Sequence, residues 1–203
     1  MDIEKKLIAV QDIYNEIEHK IGIFKQNTGL NCVPGCGECC NRFEPYISIL
    51  EALVVSRYLQ NTPKAMENFY NSKKRENILC PFYIDNADYH CGIYTIRPFI
   101  CRMYGFSVHK KKLKTKYLPC PRVKEYYTKE MKEVQKLIKE NILPIYEKEY
   151  KKLCELDFKL ATDLHPLITS IEIALENSEK IASGFYEPQS DFTNFVRSRL
   201  KDL

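Results

Sequence analysis

The chain has 203 residues with 31 basic and 27 acidic side chains, a net charge of +4, 14 Tyr, 10 Phe and no Trp. That profile fits an ordinary folded domain, or one domain with an appended helical segment, and it is too balanced to announce nucleic acid by charge. No apolar run approaches the roughly twenty residues needed to cross a bilayer. Residues 1–10 lack the basic start, apolar core and small-residue cleavage site of a secretory signal, so a cytoplasmic location without membrane association is expected.

Residues 2–26 carry Ile3, Leu7, Val10, Tyr14, Ile17, Ile21 and Phe24 at spacings of three and four, the stripe of an amphipathic helix, and Gly29 follows as a stop. Ser48-Ile-Leu-Glu51 is a capping-box signature, and Leu50, Leu53, Val54 and Tyr58 predict a short helix behind it. A third helix is predicted from Pro63 to about Asn77. Gly105 to His109, the basic turn Lys110–Lys112 and Leu113 to Leu118 predict a small β-hairpin. From Val123 the helical period returns at Tyr127, Met131, Val134, Ile138, Ile142 and Ile145, with Pro144 expected to kink or end that helix. Two more helices are predicted over about 166–182 and 188–201. Five of the seven glycines lie between Gly29 and Gly105, and seven of the ten prolines between Cys32 and Pro121. Loops therefore concentrate in the middle of the chain, and helices flank them.

Eight of the nine cysteines fall in that loop-rich middle: Cys32, Cys36, Cys39, Cys40, Cys80, Cys91, Cys101 and Cys120. Packing does not explain the clustering, because an isolated buried cysteine behaves only as a small hydrophobe. Disulfides are disfavoured by the expected reducing compartment and by a length sufficient for an unstapled core. Eight thiols at short spacing are instead soft ligands suited to zinc, copper(I) or iron–sulfur clusters. Cys32-x3-Cys36-x2-Cys39 puts three thiols in one loop, where Pro34, Gly35 and Gly37 let the backbone fold tightly. The three-then-two spacing favours a cubane iron–sulfur cluster over zinc, whose sites more commonly show paired two-residue spacings. Adjacent Cys39 and Cys40 are expected to point in different directions and to serve two centres or one extended one.

The second half of the constellation is Cys80-Pro-Phe-Tyr, His90-Cys91-Gly-Ile-Tyr94, Arg97-Pro98-Phe-Ile-Cys101-Arg102-Met-Tyr104 and Pro119-Cys120-Pro121. Pro98 fits the first turn of a helix, which would place Cys101 near its start. Arg97 and Arg102 would then stabilise a thiolate-bound centre, unless they are ordinary ion-pair residues.

The succession C-x3-C-x2-C-C, C-P-F, C-x-I-Y-x-x-R-P-x-x-C-R-x-Y and a last cysteine resembles the YkgJ-type cysteine-cluster proteins, described as zinc- or iron-chelating domains. The similarity covers roughly residues 32–121, and all eight clustered cysteines fall on its pattern. It implies a metal or cluster site. A similar domain in flagellin lysine N-methylases extends the implication to an iron–sulfur cluster used with S-adenosylmethionine, in redox or protein-lysine methyl transfer.

Other candidates are weaker. A radical S-adenosylmethionine barrel needs a length and a strand–helix alternation that are missing, and there is no G-x-G-x-x-G turn. His90 adjoins Cys91 and could replace a thiol ligand, but a sequence neighbour usually faces elsewhere. His109 beside the lysines reads as solvated, and His19 and His165 as surface or capping residues. Cys154 reads as a half-buried apolar residue. Lys110, Lys111, Lys112, Lys114 and Lys116 form the only strong charge run, which reads as a solvated hairpin edge rather than a nucleic-acid face. No catalytic set can be assembled, and no protein partner is indicated.

The expectation is a mainly α protein in which helices surround a cysteine-rich, metal-stapled loop core with a small β-hairpin. Residues 1–30 form an N-terminal helix, 31–122 the cysteine-cluster domain, and 123–203 a helical segment packed on the same core. The metal is expected to be an iron–sulfur cluster, with zinc as the alternative.

Overall fold

The computed structural model describes residues 2–32, 36–42, 44–73, 80–84, 90–111, 114–126, 131–140, 142–190 and 192. The first helix, α1 (Ile3–Thr28), buries Val10, Ile13, Tyr14, Ile17, Ile21 and Phe24, nearly the stripe that the spacing predicts. Gly29 ends it at φ +70, a left-handed conformation that lets its N–H close on Lys25 O at 2.9 Å. A short helix α2 (Glu38–Arg42) and strand β1 (Tyr46–Ser48) lead into α3 (Ile49–Asn61). The expected capping box is present. Ser48 Oγ accepts from Glu51 N at 3.3 Å, and Ser48 N donates to Glu51 Oε2 at 3.1 Å.

Helix α4 (Pro63–Ser72) opens on proline at its first turn. Its expected continuation to about Asn77 lies outside the described residues. After a one-turn 3-10 segment at Tyr94–Ile96 comes α5 (Phe99–Met103), with Pro98 standing just before the helix. Strands β2 (Val108–Lys111) and β3 (Lys114–Tyr117) pair antiparallel as the predicted hairpin, whose tip at Lys112 and Leu113 is outside the described residues.

The helical run predicted from Val123 is divided. Helix α6 (Pro121–Tyr126) starts on Pro121, and α7 (Met131–Lys139) follows, with Tyr127 lying outside the described residues between them. Helix α7 stops five residues before Pro144, and Ile142 N closes on Leu137 O at 3.0 Å. Pro144 O then accepts Val108 N at 3.0 Å, and Ile145 forms a parallel bridge to Val108. Pairing with the hairpin thus overrides the helical period at Ile142 and Ile145. A new helix, α8 (Tyr146–Leu156), begins immediately after.

The C-terminal part holds α9 (Phe158–Thr162), strand β4 (Leu164–Pro166), α10 (Leu167–Glu176) and α11 (Ser178–Ala182). The single helix predicted over 166–182 is therefore two, broken at Asn177. Of the helix predicted over 188–201, Gln189 and Ser190 are not helical, and 191 and 193–201 lie outside the described residues. Strands β1 and β4 pair antiparallel with Ile47 opposite His165, and each runs directly into a helix, α3 and α10, which pack on each other. Three-residue strands are too short to announce themselves by alternation. The fold is mainly α with small β elements, as expected. No helix among the described residues is long and apolar enough to cross a membrane.

Candidate metal centre

The cysteines reach one place by three routes. The first starts at the end of α1. Thr28 Oγ1 accepts Leu30 N at 3.2 Å, buried Leu30 anchors the exit, and Cys32 follows. Cys36 and Gly37 then enter α2, which carries Cys39 and Cys40, with Cys40 N bonded to Gly37 O at 3.0 Å. Gly37 is required here, because a Cβ would collide with the Tyr83 ring and lie 2.9 Å from His90 Cβ.

The second route is a pair of short segments. Tyr83 bridges Cys91 antiparallel, and Gly92 N donates to Phe82 O at 2.8 Å, which brings Cys80 and Cys91 together. Phe82 stacks on Phe69 of α4 at 5.7 Å and ties this unit to the core. The third route is α5, which presents Cys101, and the end of the hairpin, where Cys120 lies against Gly105 just before α6.

All eight clustered cysteines line a single cavity of about 560 Å³. Cys154 does not; it is buried at 6% exposure in α8, and burial pushes its thiol up to about 12. Cys39 and Cys40 do not diverge, contrary to expectation. Their sulfurs lie 4.0 Å apart and face the same cavity. Successive side chains on a helix are only about 100° apart, so both can turn to one side. Every cysteine is unpaired in the structure.

Five of the eight cavity thiols are pushed above the ordinary thiol range. Cys39, hydrogen-bonded to Cys40, is pushed far above the ordinary thiol range. Cys40 is favoured by that bond but opposed by Cys80 and by burial, and is pushed up to about 12. Burial raises Cys32, Cys91 and, most strongly, Cys101, where neighbouring thiols add repulsion. Ionising such a set needs a cation or cluster at its centre, so binding one must release protons.

One wall is cationic. Arg97 Nη2 and Arg102 Nη1 both donate to Glu18 Oε1, at 2.7 and 2.9 Å, and Arg102 also donates to the carbonyls of Thr95 and Arg97. Two guanidinium groups sharing one carboxylate leave a surplus positive charge beside the sulfurs, and both lower Cys91 against its burial. Of the two roles expected for these arginines, ion pairing is present, and both also oppose the effect of burial on Cys91. Arg97 Nε is buried and has no hydrogen-bond partner among the described residues. Glu18 escaped the sequence reading, since its arginines lie 79 and 84 residues away. Its one visible signal is a carboxylate adjoining Ile17 on the apolar stripe of α1.

His90 lines the cavity, but its Nδ1 is within 2.7 Å of Ile84 O and its ring stacks on Tyr83. His109 is not simply solvated. Its Nδ1 lies 3.1 Å from Glu147 Oε1, and its ring stacks on Tyr146 at 4.8 Å. His165 pairs with buried Asp163.

Eight soft donors facing one space, five of them thiols pushed above their ordinary range, and an orphaned buried donor fit a bound metal or cluster. Among the described residues no three His, Cys, Asp or Glu side chains are already drawn together as a metal-holding group, so the thiols would have to close inward. The fold and this cavity define a helical protein built around a cysteine-lined chelating site. Residues 31–123, just under half of the chain, match the family model CxxCxxCC, described as "Putative zinc- or iron-chelating domain", which is consistent with the cysteine-cluster resemblance. The match supports metal binding as its function. No curated protein and no solved structure matches the chain.

Proposed function

We propose that the eight cysteines of the cavity hold an iron–sulfur centre, in a cytoplasmic protein whose helices restrict solvent access to it. The carrying observation is the size and composition of the donor set: eight thiols around one space of about 560 Å³. A closed structural zinc site takes four ligands and has no internal room. A centre containing several irons and sulfides needs both more space and donors for its sulfurs, and Arg97 Nε, buried without a partner among the described residues, would supply one. Sulfur-directed hydrogen bonds and a local positive charge tune such centres, which gives the Glu18-held arginine pair a role.

Zinc is the second reading. It is favoured by the 4.0 Å separation of the Cys39 and Cys40 sulfurs, near the ~3.8 Å edge of a tetrahedron with Zn–S of about 2.3 Å. Protein purified anaerobically separates the two. Brown protein containing iron and acid-labile sulfide is expected, and colourless protein with only stoichiometric zinc would replace the first reading by the second.

A further inference from the structure

A second cavity, of about 610 Å³, is divided from the cysteines by α5. Phe99, Ile100 and Met103 line this cavity, Cys101 and Arg102 line the other, and Tyr104 lines both. Rings dominate its wall: Tyr46 from β1, Phe99 and Tyr104, and Tyr146 and Tyr150 from α8. Phe99 meets Tyr146 edge-on at 5.0 Å and Tyr150 at 5.6 Å, so these rings brace one another. A braced wall of this kind is preformed and loses little freedom when a ligand enters.

Apart from the tyrosines and His109, whose Nδ1 lies 3.1 Å from Glu147 Oε1, the ionisable groups lining it are carboxylates. Glu44, Glu51 and Glu147 line the cavity, and the described lining residues include no lysine or arginine. Two of these carboxylates are fixed in place. Glu51, 3% exposed, accepts from Phe99 N at 2.8 Å and from Tyr14 and Ser48, and Glu147 accepts from Lys110 N at 2.9 Å and contacts His109. Glu44 and the Tyr146 hydroxyl have no hydrogen-bond partner among the described residues. Burial, then the charge of Glu51, holds the Tyr146 and Tyr150 phenols protonated, so their ring faces remain those of neutral phenols.

We propose that this cavity binds a small alkylammonium cation, seated against the Tyr146, Tyr150 and Phe99 rings, with Glu44 as its free counter-ion and the Tyr146 hydroxyl as a hydrogen-bond partner for the ligand's polar end. Aromatic faces attract cations through the ring quadrupole, and carboxylates at the same wall add to that attraction while repelling anions. A cavity of this size and apolar character suits a small molecule rather than a chain segment. The inference does not depend on which metal the cysteines hold.

Choline and its neutral carbon isostere, 3,3-dimethylbutan-1-ol, titrated calorimetrically into the full-length protein, test it. Choline is expected to bind about tenfold or more tightly than the isostere, since only the charge differs. Glu44→Gln and Tyr146→Leu should each weaken choline by roughly 3–10-fold with an unchanged circular dichroism spectrum. Glu44 has no partner to lose among the described residues, so that variant keeps the test open if Tyr146→Leu does not fold. Magnetisation transfer from the choline methyls to tyrosine ring protons should appear in the wild type. Equal binding of the two ligands, no choline binding at tens of millimolar, or choline binding untouched by Glu44→Gln would each overturn the proposal.

Discussion

Gly105 meets two demands at once. Its φ is +80, and a Cβ there would lie 2.9 Å from Cys120 Cβ, while its carbonyl accepts the Tyr117 hydroxyl at 2.7 Å. Gly105→Ala should therefore cost about 2–4 kcal/mol, combining left-handed strain with overpacking, and should displace Cys120. Thermal denaturation and metal content measured together check this, and loss of stability with full metal content would show that Cys120 is not needed in place. The cysteines themselves separate by position. Cys36→Ser and Cys101→Ser are expected to lose metal, because both line the cavity. Cys154→Ser, buried elsewhere in α8, should keep its metal and lose about 1 kcal/mol from an unpaired buried hydroxyl. Metal analysis of the three variants is the check; an empty Cys154→Ser beside a loaded Cys36→Ser would reverse the assignment.

At the scale of elements, α5 is too short to hold its place by its own propensity. Glu51 holds it. One carboxylate caps α3 through Ser48, accepts the Tyr14 hydroxyl of α1 at 3.3 Å, and accepts Phe99 N at the start of α5 at 2.8 Å. Glu51→Ala should cost roughly 2–4 kcal/mol, from the lost cap and from buried donors left unpaired. Its effect should spread to the Cys101 region, which hydrogen exchange of α5 amides would register. Exchange faster only in α3 would mean that the contact to Phe99 is dispensable. The capping box is legible in four consecutive residues, whereas the reach of Glu51 to α5 is not, because its partner lies 48 residues away.

Across the whole molecule, Asp163 ties the chain after α11 back to the core. It is fully buried and accepts from the Tyr186 hydroxyl at 2.6 Å, Ser190 Oγ at 2.7 Å, Ser190 N at 2.8 Å and Gln189 N at 3.2 Å. Burial alone would raise its carboxyl, but these donors together hold it below the ordinary carboxylate range. A depressed folded-state value means that the stabilisation is complete above the unfolded carboxyl's pKa of about 3.9 and is lost as pH falls through the lower folded one. Wild-type stability should thus fall on acidification below about pH 5 more steeply than that of Asp163→Asn. Denaturant midpoints across that range decide the matter; parallel curves would remove Asp163 from the account. Chelation should act elsewhere. Stripping the metal is expected to loosen residues 31–123, while α1, α3, α8 and α10 keep most of their helicity through their packed apolar faces. Far-ultraviolet circular dichroism combined with limited proteolysis would test that division.

Local information in the chain determined the helical stripe of α1, its glycine stop, the α3 cap, the hairpin, and a supply of soft ligands whose spacing already implied a metal. Each of these is written within a few neighbouring residues, where side-chain period, backbone conformation and ligand chemistry act directly. Only the tertiary structure decided that thiols from four separate segments face one cavity, that Cys39 and Cys40 share it, and that Glu18 holds both arginines. It also decided that Pro144 and Ile145 join the hairpin instead of a helix, and that α5 has a second, carboxylate-lined cavity beside it. Those outcomes depend on contacts between residues tens of positions apart, where loop closure and packing choose the partners and no local pattern records the choice.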